Sequence, residues 1–425
     1  EGGREEDSAA VPTEGGREED SAAVPTEGGR EESERGAERP ESSANEADEQ
    51  EEGTFYVWTP TEVKEAVDDE LDAELFCDRY GVTSSGNFEG GQTVLTLSAS
   101  VSDLAGEYDL AESDVRDRLS RAREAVFEAR ADRPRPARDE KVLSGWNGLA
   151  ISALAEGTLV LDEEYATMAA DALGFVREHL WDGEEGRLLR RYKDGDARID
   201  GYLEDYAFLG RGAFDLYQAT GDVEHLAFAL DLAEAVVERF WDADAGTLYF
   251  TPAGGESLVA RPQEVTDQST PSSAGVATEL LLDLSHFNSG EEFETVAGRV
   301  LETHGDKVRS NPLQHASLTL AADTYASGSL ELTLVADEAP AGWRESLADR
   351  YIPARVLAWR PADGAAVEGW LEALDAAEAP PIWADRDPRD GEPTVYTCRS
   401  FSCSPPKHDV DEALAWAEER LSPAE

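Results

Sequence analysis

The chain has 425 residues, of which 40% are hydrophobic and 30% are charged, so it holds enough apolar sequence for a folded protein over most of its length. Its formal net charge of −55 comes from 92 acidic and 37 basic residues, and only −14 of it falls on the first 52 residues. The acidity therefore belongs to the whole chain. Such a surface repels nucleic acid and anionic membranes, and we expect neither as a partner.

An acidic surface of this size predicts a protein adapted to concentrated salt. Self-repulsion opposes compaction in dilute buffer, whereas near 1 M salt the Debye length falls to about 3 Å and most of the repulsion is screened. This pattern favours a halophile's cytoplasmic protein. An acidic interaction protein is the alternative.

The cysteines and the apolar segments bear on localisation. Cys77, Cys398 and Cys403 are too few for a disulfide framework and form no Cys-x-x-Cys motif. No apolar leader opens the chain, and the most apolar stretch, residues 149–161, is interrupted by Glu156. We therefore expect a cytoplasmic location and no membrane contact.

Residues 1–52 contain a thirteen-residue tandem repeat that occupies 1–13, recurs at 14–26 and begins again at 27. The segment lacks aromatic residues and is rich in Gly, Ser, Pro and like charges, so it cannot bury enough surface to offset the entropy of ordering. It is predicted to be a disordered acidic segment.

From residue 53 the composition becomes globular, and residues 53–328 are predicted to form one helical part. A helix is expected after Thr59, which can cap it while Pro60 occupies its first turn. A short helix over 72–80, an irregular segment with a strand over 87–97, and an amphipathic helix over 112–130 follow. The Arg-Pro-Arg-Pro sequence at 133–136 ends that last helix.

The middle of the chain is a repeat of helix pairs. Leu180-Trp181-Asp182 and Phe240-Trp241-Asp242 each end a helical pattern and are each followed by Gly-x-Leu. Helices are predicted over 146–160, 163–180, 204–219, 223–240, 274–287, 291–307 and 312–326. Short links within pairs alternate with long links between them, which favours stacked hairpins in a barrel with the ligand loops at one end. An ordinary helical bundle is the alternative.

After residue 328 the periodicity changes, and residues 329–425 are predicted to form a small α/β unit. Strands are predicted over 329–335, 354–359 and 394–398, and helices over 343–350, 367–374 and 411–421. This alternation indicates a small parallel sheet that closes with a helix.

Six ordered motifs resemble one family, the thioredoxin-domain-containing proteins related to spermatogenesis-associated protein 20. They are GTFYVWTP at 53–60, GNFEG at 86–90, DEKVLSGWNGLA at 139–150, DGYLEDYA at 200–207, SSAGVA at 272–277 and YTCRSFSCSPP at 396–406. The resemblance is to the C-terminal part of these proteins.

The resemblance implies a mainly α fold, a partial (α/α)6 helical-hairpin toroid similar to N-acylglucosamine 2-epimerase and the six-hairpin glycosidases, with the small α/β unit appended. It also implies an upstream thioredoxin-like domain as a partner. Neither that domain's cysteine motif nor the family's His-Phe-Glu-Lys-Met stretch is found in this chain. Its redox chemistry is therefore not carried over.

The candidate catalytic residues lie where a helix begins. Glu204 and Asp205 could act as general acid or base at a barrel mouth, with Asp200 as a possible partner carboxylate, because glycoside hydrolysis needs two carboxylates about 5 to 10 Å apart. Carboxylates in the first turn of a helix also stabilise its dipole whatever their function. Capping and packing therefore remain the structural alternative.

Polar and aromatic residues near the same helix starts are candidate ligand contacts. Tyr202 and Tyr206 could stack on a sugar ring, and Trp146 with Asn147 could supply a platform and a hydroxyl contact, or could close a tight turn over the core. The rare Lys141 is expected in an ion pair with Asp139 or another carboxylate at the barrel mouth. The remaining candidates are Asp267, Ser272 and Ser273, for which an N-cap or close helix packing is the alternative.

Other chemistries have weaker support. No serine-nucleophile motif and no metal-ligand spacing are present, and no cofactor is expected. Cys398 and Cys403 could be a disulfide, a redox pair or two buried thiols, and the thiols are favoured. The first hypothesis is a barrel that binds or processes a carbohydrate or similar polyhydroxylated ligand. The second is a non-catalytic scaffold that acts with an upstream thioredoxin-like domain in redox or protein-quality function.

Overall fold

The computed structural model describes residues 53–255, 259–340, 342–400 and 402–421. The predicted disordered segment at 1–52 lies outside these residues. The chain divides into two compact units, one ending at Ala137 and one beginning at Arg138. Within the described ranges no helix is both long and apolar enough to cross a membrane.

The described part of the first unit is helical. It contains α1 (Pro60–Ala66), α2 (Glu70–Tyr80), a 3-10 turn (Glu89–Gly91), α3 (Val101–Glu107) and α4 (Glu112–Ala131). α1 begins at the expected cap, where the Thr59 hydroxyl accepts from the Glu62 amide and the Glu62 carboxylate accepts from the Thr59 amide. Asp72 of α2 is buried and pairs with Arg118 and Arg121 of α4, so these two helices are tied by charge as well as by apolar packing.

The second unit is built on seven helices in two layers. They are α5 (Ser144–Val160), α6 (Glu164–Leu180), α7 (Leu203–Thr220), α8 (Val223–Phe240), α9 (Ser273–Ser285), α10 (Glu292–Ser310) and α11 (Ala316–Ser327). The helices α5, α7, α9 and α11 contact one another in that order, and α6, α8 and α10 pack on the helices that precede them. The predicted mainly helical hairpin architecture is confirmed, with four consecutive inner helices.

Short strands join the hairpins. They are β1 (Val142–Leu143), β2 (Trp181–Asp182), β3 (Arg187–Lys193), β4 (Asp196–Asp200), β5 (Trp241–Asp242) and β6 (Thr247–Leu248). Strand β3 pairs antiparallel with β1, β2 and β4, and β5 pairs antiparallel with β6.

These strands explain the repeated Trp-Asp signature. In each copy the tryptophan pairs with the leucine of Gly-x-Leu, and the aspartate accepts hydrogen bonds from two amides of the turn that follows. The glycine of each copy has a positive φ, 55° at Gly186 and 63° at Gly246, which closes the turn without a Cβ clash. The repeat is thus a hairpin that reverses the chain at the end of an outer helix.

The C-terminal segment carries the α/β elements. They are β7 (Leu330–Val335), α12 (Trp343–Ala348), β8 (Arg355–Arg360), α13 (Gly364–Ala373), β9 (Thr394–Arg399), β10 (Ser402–Cys403) and α14 (Val410–Leu421). The sheet order is β10-β9-β7-β8. The expected parallel pairing holds between β7 and β8, whereas β9 runs antiparallel to β7, so the sheet is mixed.

One hydrophobic core runs through the inner helices and this sheet. The side-chain oxygen of Gln218, near the end of α7, accepts from the Leu357 amide at 2.9 Å, and the Gln218 backbone carbonyl accepts from the Trp359 indole at 2.8 Å. These bonds anchor β8 to the helical layer. The predicted domain boundaries at residues 52 and 328 stay predictions.

Candidate functional site

The inner helices begin at the same end of the second unit. The Gly145 amide at the start of α5 donates to Asp205 at the start of α7, with a distance of 3.0 Å. Asp267, before α9, accepts from the Ser272 amide at 3.0 Å and from the Ser317 amide in α11 at 3.2 Å. The three patches that the sequence suggested therefore lie at one end. We call this end the mouth, meaning the starts of α5, α7 and α9 together with Arg190 and Glu264.

Asp205 is a buried link between two inner helices, with 1% of its surface exposed. Besides the Gly145 bond it accepts from the Tyr202 amide at 2.9 Å and from Arg190 of β3 at 2.8 Å. Burial raises the pKa of Asp205, and Arg190 with the two amides opposes that shift. Through these three hydrogen bonds the carboxylate links α5, β3 and the start of α7.

Glu204 lies beside Asp205 but reaches the surface. Its carboxylate is 2.5 Å from the same Arg190 guanidinium, and 14% of its side chain is exposed. Arg190 stands 5.1 Å above the ring of Tyr202, and that ring stacks on Phe250 with centroids 4.9 Å apart. Charge pairing and stacking together fix the orientation of Glu204 at the mouth.

Glu264 is a residue of the mouth that the sequence interpretation missed. It precedes α9 and is half-buried, and it forms no ion pair with any described residue. Burial raises the pKa of Glu264, the charge on Glu204 raises it further, and the neighbouring Ser273 and Arg190 oppose the shift. Its Oε2 atom and the Ser273 hydroxyl are both buried and lie next to each other, outside regular hydrogen-bond geometry. In a chain with 92 acidic residues, no local signal distinguishes this one.

The residues around Trp146 have separate roles. Trp146, in the first turn of α5, is 62% exposed. The Asn147 side-chain amide donates to the Leu143 carbonyl at 2.8 Å. A Cβ atom on Gly148 would lie 2.4 Å from the backbone of Phe208 and Leu209, so this glycine permits the close crossing of α5 and α7. Residues 144–148 thus begin a helix that packs closely on α7 and do not form the tight turn that was one of the two alternatives, and the Trp146 indole lies at the surface.

The other sequence candidates have protein partners. Asp200 is exposed and pairs with Arg187 at 2.6 Å. Tyr206 is 2% exposed, and its hydroxyl accepts from the Leu188 amide at 2.7 Å, so its ring is enclosed by the core rather than presented to a ligand. Ser272 caps α9 by accepting from the Gly275 amide at 3.0 Å.

Asp139 and Lys141 form the expected ion pair at 3.1 Å on the surface before β1. The catalytic and ligand-binding roles assigned from the sequence stay predictions. Across the described ranges, no group of three or more His, Cys, Asp or Glu side chains is arranged to hold a metal ion.

The two C-terminal cysteines correct a sequence expectation. Cys398 and Cys403 are joined by a disulfide, so the favoured assignment of two thiols is wrong. The strand pairing places these residues directly opposite each other on β9 and β10, whereas their spacing alone left both outcomes open. Cys77 is a buried free thiol in the first unit.

Comparison with known proteins confirms the sequence resemblance in part. No family model matches the chain. It is similar to spermatogenesis-associated protein 20 of Homo sapiens, with 28% identity over 406 residues that cover 88% of this chain and 50% of that protein. The Rattus norvegicus protein of the same name is 28% identical over 351 residues, covering 76% and 44%. The chain thus spans about half the length of the curated relatives it matches.

Two solved structures are similar at a low level. A D-mannose isomerase has a TM-score of 0.32 and 12% identity, covering 48% of this chain and 58% of its own. The GH76 α-mannanase of Bacteroides thetaiotaomicron has a TM-score of 0.31 and 15% identity, covering 58% and 72%. Similarity at this level carries no argument about function.

Proposed function

We propose that the mouth binds a carbohydrate or a similar polyhydroxylated ligand and performs acid–base chemistry on it, with Glu264 and Glu204 as the paired carboxylates. The observation that carries this proposal is the difference between their environments. Glu204 contacts Arg190 at 2.5 Å, whereas Glu264 is half-buried, forms no ion pair with a described residue and has a raised pKa. Two neighbouring carboxyl groups in such different environments can supply one acid and one base.

The neighbouring groups suit a sugar. The exposed Trp146 indole offers an apolar face on which a ring can stack. Glu264 is half-buried, so part of its side chain is accessible to ligand hydroxyls, while its Oε2 atom and the Ser273 hydroxyl are buried next to each other. Asp205, whose oxygens accept three protein hydrogen bonds, is proposed as a positioning residue that holds Arg190 and the start of α5.

The test is calorimetric titration with a panel of neutral mono- and disaccharides at fixed high salt, together with NMR of the same sugars to detect turnover. Trp146→Ala should weaken binding by about tenfold, the loss of one stacking contact worth about 1.4 kcal/mol. Glu264→Gln should retain binding within a few-fold and abolish turnover, because the amide cannot exchange a proton.

Asp200→Asn is the matched control, since Asp200 is an exposed carboxylate of the same region paired with Arg187. It should match the wild type in both measurements. The proposal fails if the wild-type protein binds no sugar of the panel, or if Trp146→Ala and Glu264→Gln behave like Asp200→Asn.

A second candidate is a scaffold that acts with a thioredoxin-like domain. The Cys398–Cys403 disulfide favours this candidate, because a cysteine pair that can be oxidised and reduced suits a redox role and has no use in sugar binding. Under this alternative Glu264→Gln and Glu204→Gln leave function intact, whereas loss of either cysteine impairs it.

A further inference from the structure

The Cys398–Cys403 disulfide is asymmetric in its exposure. The two residues face each other across β9 and β10, with Cα atoms 4.1 Å apart. Cys398 is 4% exposed, whereas Cys403 is exposed. Cys403 is therefore the more accessible of the two cysteines to a thiol from solution.

An arginine faces both sulfur atoms. The Arg386 Nη2 group donates to the Cys398 Sγ at 3.3 Å and to the Cys403 Sγ at 3.5 Å. Its guanidinium lies 5.2 Å above the Tyr396 ring and forms no ion pair with a carboxylate of the described residues. In a chain with 92 acidic residues this placement leaves a positive charge directed at sulfur. A cation beside a cysteine stabilises its thiolate.

The disulfide opens into a cavity of about 510 Å³ that also holds a base. His286 and Glu331 line this cavity, with the His286 Nδ1 atom 3.7 Å from the Glu331 carboxylate. Glu331 is the β7 partner of Cys398 in the sheet. Burial lowers the pKa of His286, while Glu331 opposes that shift, so the imidazole is neutral near pH 7 and can accept a proton.

We propose that Cys398–Cys403 is a thiol–disulfide exchange site that oxidises dithiols, with Arg386 stabilising the Cys398 thiolate as leaving group and His286 accepting the proton of the incoming thiol. This proposal is independent of the sugar site and shares no residue with it.

The exchange proceeds in two balanced steps. In the first, a thiolate of the dithiol attacks the Cys403 sulfur, the Cys398–Cys403 bond breaks, and Cys398 leaves as a thiolate beside Arg386. In the second, the other thiol of the dithiol loses its proton and attacks the dithiol sulfur that is bonded to Cys403, the mixed disulfide breaks, and Cys403 leaves as a thiolate. The dithiol is oxidised to a disulfide, the cysteine pair is reduced, and the two protons released by the dithiol protonate the cysteine thiolates.

A purely structural role explains less. The disulfide joins residues only five apart, on strands that already pair. Stabilisation by a disulfide increases with the length of the loop it closes, so this one lies near the bottom of the range. The arginine and the cavity have no part in that stabilisation.

The first test measures the rate at which dithiothreitol reduces the disulfide, by alkylation and mass spectrometry, in the full chain carrying Cys77→Ser. Arg386→Gln should slow reduction on the order of tenfold, the loss of one charge-assisted hydrogen bond to the leaving thiolate. Arg389→Gln is the matched control, because Arg389 donates to the hydroxyl of the same Tyr396 at 3.0 Å without contacting sulfur. It should reduce at the wild-type rate.

The second test uses single cysteines and oxidised glutathione, and it remains decisive if Arg386→Gln fails to fold. Cys398→Ser should form a mixed disulfide at the exposed Cys403 at least tenfold faster than Cys403→Ser forms one at the buried Cys398. Equal rates for Arg386→Gln and Arg389→Gln, a disulfide that resists dithiothreitol in the folded protein, or faster reaction at Cys398 would each overturn the proposal. Failure here leaves sugar binding at the mouth unaffected.

Discussion

Replacing Asp205 by asparagine should destabilise the protein. The carboxylate is buried and accepts from the Gly145 amide, the Tyr202 amide and Arg190. Asparagine keeps one acceptor oxygen and turns an NH₂ group toward a donor, so at least one of these donors loses its partner. The sequence alone left both a catalytic role and a capping or packing role open for Asp205, and a purely catalytic residue would change the melting temperature little.

The magnitude follows from burial. Removing one partner of a buried ion pair costs about 3–5 kcal/mol, and the cost falls when the remaining charge keeps another partner. Arg190 keeps Glu204 at 2.5 Å, so we expect about 2–3 kcal/mol. For a unit of this size that lowers the melting temperature by about 5 °C.

The assay is urea unfolding, followed by tryptophan fluorescence at constant high salt, with the melting temperature measured in the same buffer. Glu204→Gln, which changes a partly exposed partner of the same arginine, should cost less. Asp200→Asn should stay within about 0.5 kcal/mol, as expected for an exposed ion pair. An Asp205→Asn protein as stable as Asp200→Asn would refute the structural role.

Three further predictions concern packing, pH and salt. Gly148→Ala should lower the free energy of unfolding in urea by about 3 kcal/mol, because the new Cβ atom would lie 2.4 Å from the α7 backbone. Gly174→Ala, on the open face of α6, should raise it by up to about 1 kcal/mol. Equal effects of the two substitutions would contradict the close crossing of α5 and α7. Burial raises the pKa of Asp283 from 3.8 to about 7, although Arg211 beside it opposes the shift. The stability that the folded protein gains by binding a proton at Asp283 is fully present below pH 3.8 and is lost as the pH rises toward 7. Asp283→Asn should therefore become more stable relative to the wild type over that interval. A difference in free energy of unfolding between the two proteins that stays constant with pH would argue against this. The free energy of unfolding should rise strongly between about 0.1 M and 2 M KCl, because salt screens the net charge of −55; equal stability at both concentrations would remove the halophile hypothesis.

Helix positions were predictable because their signals are local. The α5 pattern was placed at 146–160, and the helix spans Ser144–Val160. Apolar periodicity, caps and breakers act within a few residues, so they can be identified without knowing the fold. The helix α3 was missed because it is short, although Ser100 and Asp103 form a capping box at its start.

The residues of the mouth were predictable only in part. Repeated polar patches at helix starts predicted that these residues share one end of the hairpins, and the partly exposed Glu204 and the exposed Trp146 lie at that end. Glu264 was missed because its placement beside Glu204 depends on how α9 packs against α7. Tyr206 was assigned to the ligand because a tyrosine near a helix start looks the same whether it faces a ligand or the core.

Most of the helices, the repeated Trp-Asp signature at 181–182 and 241–242 and the acidity of the chain can be recognised from sequence alone, since they depend on neighbours along the chain or on composition. Which side chains meet depends on the fold. The Gly145–Asp205 bond spans sixty residues, and the pairing of Cys398 with Cys403 depends on the register of β9 and β10. The fold also decides that Arg386 faces sulfur rather than a carboxylate. Such contacts arise from packing between elements, and no local pattern records which partner each side chain will find.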